Sequence, residues 1–394
     1  MWPFSRSGKH RHSGPEAPPG ARARRRGGWL AGLACTLIAT AGHGQNLTTT
    51  AAFDAQGSLW RLRVEGGRLQ LDRSTDLGRT FATPVTLGGP EQSLAISVEE
   101  RPAIAFSDDR AHVAWPVAAG QGTARLLMAV STDGGRTFTP PRTVSERPGR
   151  LHRIAVDSAG RLHHLWYRDA GRTVADLYLA SPEAPPRKLA GNFCDCCRPA
   201  FALTREGDPV VAARYVFPGD IRDHVLLQPA APGTAIPRRV TFDDWQVHIC
   251  PTQGPALAIG ADGRYHLAWF TLGQRRGLFY AHSDDEGQSF SAALPFGDPN
   301  AHAMNPRVAV SGAMVTLAWQ EFSDGRIRIL ARRSADGGDT WAAPHEVAST
   351  AGTADRAELI TGPEGTFVSW NSRAEGYRLL PITGDAAAPA ILDP

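Results

Sequence analysis

The residues of this chain best suited to chemistry are thiols and guanidinium groups. Asn192-Phe193-Cys194-Asp195-Cys196-Cys197-Arg198-Pro199 packs three thiols into four positions, and His248-Ile249-Cys250-Pro251 adds a fourth downstream. In an oxidising compartment four such cysteines read as disulfides, with three connectivities open. Adjacent Cys196 and Cys197 are poor mutual partners because a vicinal bridge is strained, so the spacing predicts that Cys250 pairs with one of Cys194, Cys196 and Cys197. The rival reading is a soft-metal or redox site in which Cys194, Cys196, Cys197, His248 and Cys250 handle copper or zinc. Between the two segments runs Arg214-Tyr215-Val216-Phe217-Pro218-Gly219-Asp220-Ile221-Arg222-Asp223-His224. It is either a solvated, ion-paired loop or a binding loop using Arg214, Tyr215, Arg222 and Asp223.

The elements that must position these groups are short and repeated. Ser131-Thr132-Asp133-Gly134-Gly135-Arg136-Thr137-Phe138 recurs with small changes at Ser74 to Phe81, Ser283 to Phe290 and Ser334 to Trp341. In each copy an aspartate (Asp76, Asp133, Asp285, Asp336) can accept backbone N–H groups inside a tight turn. A glycine (Gly78, Gly135, Gly287, Gly338) supplies the positive φ that a Cβ resists. The closing aromatic, Phe81, Phe138, Phe290 or Trp341, is expected to restart a strand and bury its ring. A second marker is a short apolar strand ending in Trp115, Trp166, Trp269, Trp319 or Trp370, with Arg214 filling the one gap in the series. The intervals from 115 through 166, 214, 269, 319 and 370 are 51, 48, 55, 50 and 51 residues. With residues 46 to 90 as a further unit, the count is about seven.

Such an array predicts an all-β chain: a β-propeller of four-stranded antiparallel blades. The octapeptides resemble the Asp-box (BNR) repeats of the sialidase-like β-propellers. That resemblance implies that the boxes are structural turns on the face opposite the binding site. It also implies six blades, the number in sialidase catalytic domains, whereas counting units gives seven. Units three and four lack the box and carry Ser181-Pro182-Glu183-Ala184-Pro185-Pro186 and Pro229-Ala230-Ala231-Pro232-Gly233 at the corresponding turns.

On the face opposite the boxes, five first strands begin with arginine: Arg101, Arg153, Arg198, Arg307 and Arg356. First strands line a propeller's axis, so these groups converge there and suit carboxylate or phosphate ligands. The competing reading pairs each with a neighbouring acid such as Glu100, Asp355 or Glu358. Sialidases use an arginine triad, an acid/base Asp and a Tyr nucleophile assisted by Glu. Ala374-Glu375-Gly376-Tyr377 makes Tyr377 the candidate nucleophile here, against an ordinary half-buried strand aromatic, and no acid/base partner stands out.

Residues 1 to 45 read as a signal peptide with a basic leader, in which Arg24-Arg25-Arg26 precedes an apolar run from Trp29 to Ala41 that is too short to span a bilayer. Export to a periplasmic or extracellular location is expected, with cleavage shortly after Ala41 removing Cys35 and no stable membrane span left in the mature chain. The leader also distorts the charge. It holds seven of the 42 Lys and Arg but one of the 39 Asp and Glu, so the formal +3 becomes about −3 over residues 46 to 394. That balance disfavours a nucleic-acid partner. The expectation is therefore an exported propeller, residues 46 to 394, binding an anionic small molecule or glycan on the face opposite the boxes. The alternatives are an exo-α-sialidase-type glycoside hydrolase and a periplasmic protein handling soft metal or redox chemistry through its Cys-x-Cys-Cys segment.

Overall fold

Short β-branched and aromatic runs separated by Gly, Pro, Asn and Asp turns give strands that pair with their immediate neighbours. In the computed structural model, which describes residues 46–384 apart from 108, 121, 145–146, 172, 182–183, 230–234 and 250, they build seven antiparallel meanders. The expected leader, residues 1 to 45, lies outside the described residues. Blade one comprises β1 (Thr49–Phe53), β2 (Leu59–Glu65), β3 (Arg68–Ser74) and β4 (Val85–Leu87). The others occupy 103–143, 150–194, 200–239, 256–296, 304–351 and 358–381; among the described residues the last has three strands and each of the rest four.

The seven first strands touch one another in sequence and the seventh touches β1, so the sheets close a ring. Seven blades, rather than the six that the sialidase resemblance implies, is the outcome. The seam between the last blade and the first is held by Asp355, which accepts the Thr49 N–H at 3.0 Å, and by Asn371, whose Nδ2 donates to Leu47 O at 2.9 Å.

The core lies between blades rather than at the axis. Trp60, Leu62, Leu69 and Leu71 of blade one pack against Val113 and Trp115 of blade two, and similar clusters fill successive interfaces. Trp115, Trp166, Trp269, Trp319 and Trp370, each on a second strand, are almost wholly buried. Cutting one of them to Ala is expected to cost about 3–5 kcal/mol.

The four repeated turns share one geometry. In the first, Ser74 Oγ donates to Asp76 Oδ1 (2.7 Å) and accepts from Gly78 N (2.8 Å), while Asp76 accepts from Thr80 N (2.9 Å) and Thr80 Oγ1 (2.6 Å). The same bonds recur around Asp133, Asp285 and Asp336. All four turns join a third strand to a fourth. Gly135 has φ +81°, and a Cβ there would stand 2.6 Å from Trp60 Cη2, so backbone conformation and close approach both select glycine. The aromatic of each turn is half-buried against a neighbouring blade, but the fourth strand restarts a few residues later, at Val85 after Phe81 for example.

Candidate functional site

First strands meet at the axis, so residues at their leading ends converge. Arg153, Arg198, Arg307, Arg356, Asn305 and Glu358 line one cavity of about 230 Å³. Arg101, Arg153, Arg198 and Glu358 line a neighbouring one of about 190 Å³. All five arginines expected to converge do so.

Glu358 is the hub. Arg307 binds it with two donors, Nε to Oε2 at 2.7 Å and Nη2 to Oε1 at 3.0 Å; Arg198 Nη1 reaches Oε1 at 2.8 Å and Arg101 Nε lies 3.4 Å away. Burial opposes its ionisation, but Arg307, Arg198 and Arg101 outweigh burial and hold the carboxyl well below its usual range. Arg101 is itself buried, with Nη1 and Nη2 on Asp355 at 3.0 and 2.5 Å. Arg356 pairs with Glu99 at 2.5 Å. Glu100 is buried and accepts the backbone N–H groups of Leu151 and His152; burial raises its pKa, against the opposing pull of His152 and those N–H groups. Both sequence readings of the arginines therefore hold together: they converge, and acids meet most of them.

Arg153 differs from the rest. Its Nη1 donates to His152 O at 2.5 Å, while its Nη2 has no hydrogen-bond partner. One carboxylate thus serves three guanidinium groups, and a fourth, Arg153, lines the cavity beside it with a buried Nη2 that has no partner. The hub was not singled out from sequence: Glu358 appeared only as one of several neighbouring acids, and nothing in its spacing distinguishes it from Glu364 or Glu375.

The loop from Arg214 to His224 is packed at both ends, with Pro218 and Gly219 exposed at its tip. Arg214 has no exposed surface and donates to Gln253 O (3.1 and 3.0 Å), Phe270 O (2.7 Å) and Arg222 O (2.6 Å). It stands where other blades place tryptophan, with its guanidinium 4.8 Å from the Trp245 ring centroid. Arg222, equally buried, donates to Val247 O (2.9 Å), Thr173 Oγ1 (3.0 Å) and Cys194 Sγ (3.1 Å). Asp223 accepts from Arg239 Nη2 and from the N–H groups of Asp243 and Asp244, and Tyr215 packs edge-on against Phe193. The expected ligand contacts Arg214, Arg222 and Asp223 are buried among protein partners instead.

Tyr377, the candidate nucleophile, lines neither axial cavity. It packs edge-on against Phe81, lies beneath Arg61 and shares a 3.2 Å hydrogen bond with Ser369 Oγ; burial pushes its pKa up to about 12. This is the strand aromatic of the alternative reading.

Of the expected metal set, Cys194, Cys196 and Cys197 come together, their sulfurs within 4.8 Å of one another. His248 stands apart and exposed, with Nδ1 2.7 Å from Asp220. Cys194 and Cys197 are free thiols and Cys196 is disulfide-bonded. Cys250, the expected bridge partner, lies outside the described residues. Three sulfurs from different side chains could hold a soft ion, but a disulfide at Cys196 leaves two thiolate donors, short of the four that a structural zinc site uses.

Searches against protein families and against curated proteins find no match. Solved structures match over most of the chain. A polysaccharide lyase described as an ulvan lyase aligns with TM-score 0.56 at 10% identity, covering 85% of this chain and 92% of its own. The same lyase bound to -[GlcA(1-4)Rha3S]- gives 0.55 over the same shares. A Trypanosoma rangeli sialidase in complex with sialic acid gives 0.45 at 11% identity, covering 84% of this chain and 69% of its own. These likenesses concern the fold.

Proposed function

We propose that this propeller binds a carboxylate-bearing glycan or a similar anionic small molecule in the axial cavity, on the face opposite the four repeated turns. One observation carries the reading. Four arginines line a cavity of about 230 Å³ around one carboxylate, and Arg153 keeps an unpartnered Nη2. A bidentate acceptor beside Arg153 and Arg356 adds charge-assisted bonds without displacing Glu358 from Arg307. The fold neighbour whose bound saccharide contains glucuronate and a sulfated rhamnose supports a ligand of this class.

Binding is favoured over hydrolysis because the groups near the cavity are poorly placed as acids. Three arginines keep Glu358 ionised, and Glu100, whose pKa burial raises, lines neither cavity and has both oxygens on backbone N–H groups. The sialidase-type alternative predicts turnover of carboxylated glycosides, whereas binding predicts saturation without product. The same reading keeps the protein exported, with cleavage shortly after Ala41, and keeps a bridge from Cys196 to Cys250. N-terminal sequencing of envelope-derived protein and non-reducing peptide mapping test those two points.

The test of the site is titration calorimetry with a glucuronate-containing oligosaccharide and its uncharged counterpart. Arg153→Gln is expected to weaken the acidic ligand about tenfold, the scale of one lost charge-assisted contact. Arg136→Gln, on an exposed turn at the other face, is expected to leave affinity unchanged. Equal effects at the two positions would refute a focused axial site.

A further inference from the structure

The cysteine segment forms a second centre whose sulfurs lie outside the axial cavity, although Cys197 adjoins Arg198 in the chain. The last strand of blade three ends at Cys194, and a turn closed by Cys197 N donating to Cys194 O at 3.3 Å folds the next residues back. That turn brings the Cys194 and Cys197 sulfurs to 3.1 Å, hydrogen-bonded to each other, both buried and both free. Arg222 Nη1 donates to Cys194 Sγ at 3.1 Å and has no carboxylate among its hydrogen-bond partners, which are this sulfur, Val247 O and Thr173 Oγ1.

We propose that Cys194 and Cys197 are a dithiol–disulfide centre, oxidised by small hydroperoxides, whose state is transmitted through Arg222 to the Arg214–His224 segment.

Three observations carry this. The spacing is Cys-x-x-Cys, which places two sulfurs on one turn. Their separation is about 1 Å above a disulfide bond, so a small side-chain adjustment joins them. The surroundings also divide the labour between the two sulfurs. The hydrogen bond with Cys197 lowers the Cys194 pKa to about 6; burial opposes that, and Arg214 and Arg222 reinforce it. Burial pushes the Cys197 thiol up. Cys194 is thus the more readily ionised sulfur, the nucleophile once the proton it donates to Cys197 is lost, while Cys197 resists ionisation.

The chemistry balances. The Cys194 thiolate attacks one peroxide oxygen, forming an S–O bond as the O–O bond breaks; the departing alkoxide or hydroxide takes up a proton. The Cys197 sulfur then attacks the Cys194 sulfenic acid. The S–S bond forms, the S–O bond breaks, and the leaving hydroxide departs with the Cys197 proton as water. Two thiols and one hydroperoxide give one disulfide, one alcohol or water molecule, and one further water. Neither residue has accessible surface, so a protein disulfide cannot reach the pair, and a small hydroperoxide reaches it only through a local opening of the segment. Oxidation removes the anion beside Arg222 and leaves its charge buried against carbonyl and hydroxyl oxygens.

The test treats the purified full chain with hydrogen peroxide, without reductant, then denatures and alkylates it. Before treatment Cys194 and Cys197 are expected to be labelled. Afterwards both should be protected, the intact mass lower by two hydrogens, and amide exchange faster over 214–224 and 245–249. Cys197→Ser is expected to stop at a sulfenic acid trapped by dimedone, and Cys194→Ser to slow peroxide consumption more than tenfold. The wild-type labelling decides the matter even where a variant fails to fold. Thiols still alkylated after peroxide, a disulfide from Cys194 to Cys196, stoichiometric copper or zinc on the sulfurs, or unchanged exchange over 214–224 would each overturn the proposal.

Discussion

Two arginine clusters serve opposite ends in this molecule. At the axis, Arg101, Arg198 and Arg307 share the single carboxylate of Glu358, and Arg153 lines a cavity with a buried Nη2 that has no partner. Between blades three and five, Arg214 and Arg222 donate chiefly to backbone carbonyls, which the path of the chain fixes in place. No incoming anion competes with those carbonyls, because the guanidinium groups have no exposed surface to offer it. A shared carboxylate is different: it leaves donor capacity over, and an arriving acid adds to the cluster. Acceptor type, rather than the presence of arginine, separates a binding site from a structural clamp.

The largest expected effect tests where the axial cluster stops being a site and becomes structure. Asp355 joins the last blade to the first two through Thr49 N and Arg101. Asp355→Ala leaves Arg101 buried without its main partner and is expected to destabilise by about 3–5 kcal/mol. Denaturant unfolding measures it, and a loss below about 1 kcal/mol would show that the seam does not depend on this pair.

Acid should distinguish the clusters next. Burial lowers the pKa of His152, His164, His224 and His266, the last to about 4. Their folded values lie below the ordinary 6.5, so between these limits the unfolded chain binds more protons. Their contribution is complete above pH 6.5 and is lost as pH falls through that range, on the order of 3 kcal/mol for His266 alone. Glu358 titrates well below the usual carboxylate range and His152 lines only the smaller axial cavity, so the charge facing the cavity of about 230 Å³ is unchanged meanwhile. Melting temperature should therefore fall between pH 7 and 5 while affinity for an acidic saccharide stays flat. Affinity falling in parallel with stability would tie the site to the histidines.

Substituting one arginine from each cluster sharpens the comparison further. Arg222→Met leaves Val247 O, Thr173 Oγ1 and the Cys194 sulfur unmatched and should cost about 1–3 kcal/mol with little change in ligand affinity. Arg153→Met should do the reverse, costing under about 1 kcal/mol of stability while weakening the ligand. Both substitutions moving the same quantity would erase the distinction between clamp and site.

What the sequence revealed follows the same division. Turns and strand ends are local, so Asp76, Asp133, Asp285 and Asp336 marked the hairpins, and the regular spacing of Trp115, Trp166, Trp269, Trp319 and Trp370 counted the blades. First-strand arginines were readable once the propeller was inferred, because ring closure makes their side chains converge. The role of Arg214 was hidden: its acceptors are carbonyls of Gln253, Phe270 and Arg222, and a carbonyl has no residue-type signature. Glu358 was hidden for a related reason, since three arginines from different blades select it through distance in space. Tyr377 looked reactive beside Glu375, yet Glu375 bonds Ser372 and Thr350 while the ring turns toward Phe81.

The smallest expected effect lies on the opposite face and checks that it is only scaffold. Asp76 is held ionised by the hydroxyl and backbone N–H of Thr80 and by Ser74, which bring its pKa down to about 2. Because the folded value is depressed, its contribution is present above the unfolded value near 3.8 and is lost as pH falls toward 2. Asp76→Ala should therefore lower the melting temperature slightly at neutral pH, with the gap from wild type constant down to about pH 4 and closing below it. Three further turns of the same design remain, so the ring should stay closed and ligand affinity unchanged. A folded Asp76→Ala protein that no longer binds acidic saccharides would place the repeated turns at the binding site and reverse the assignment of the two faces.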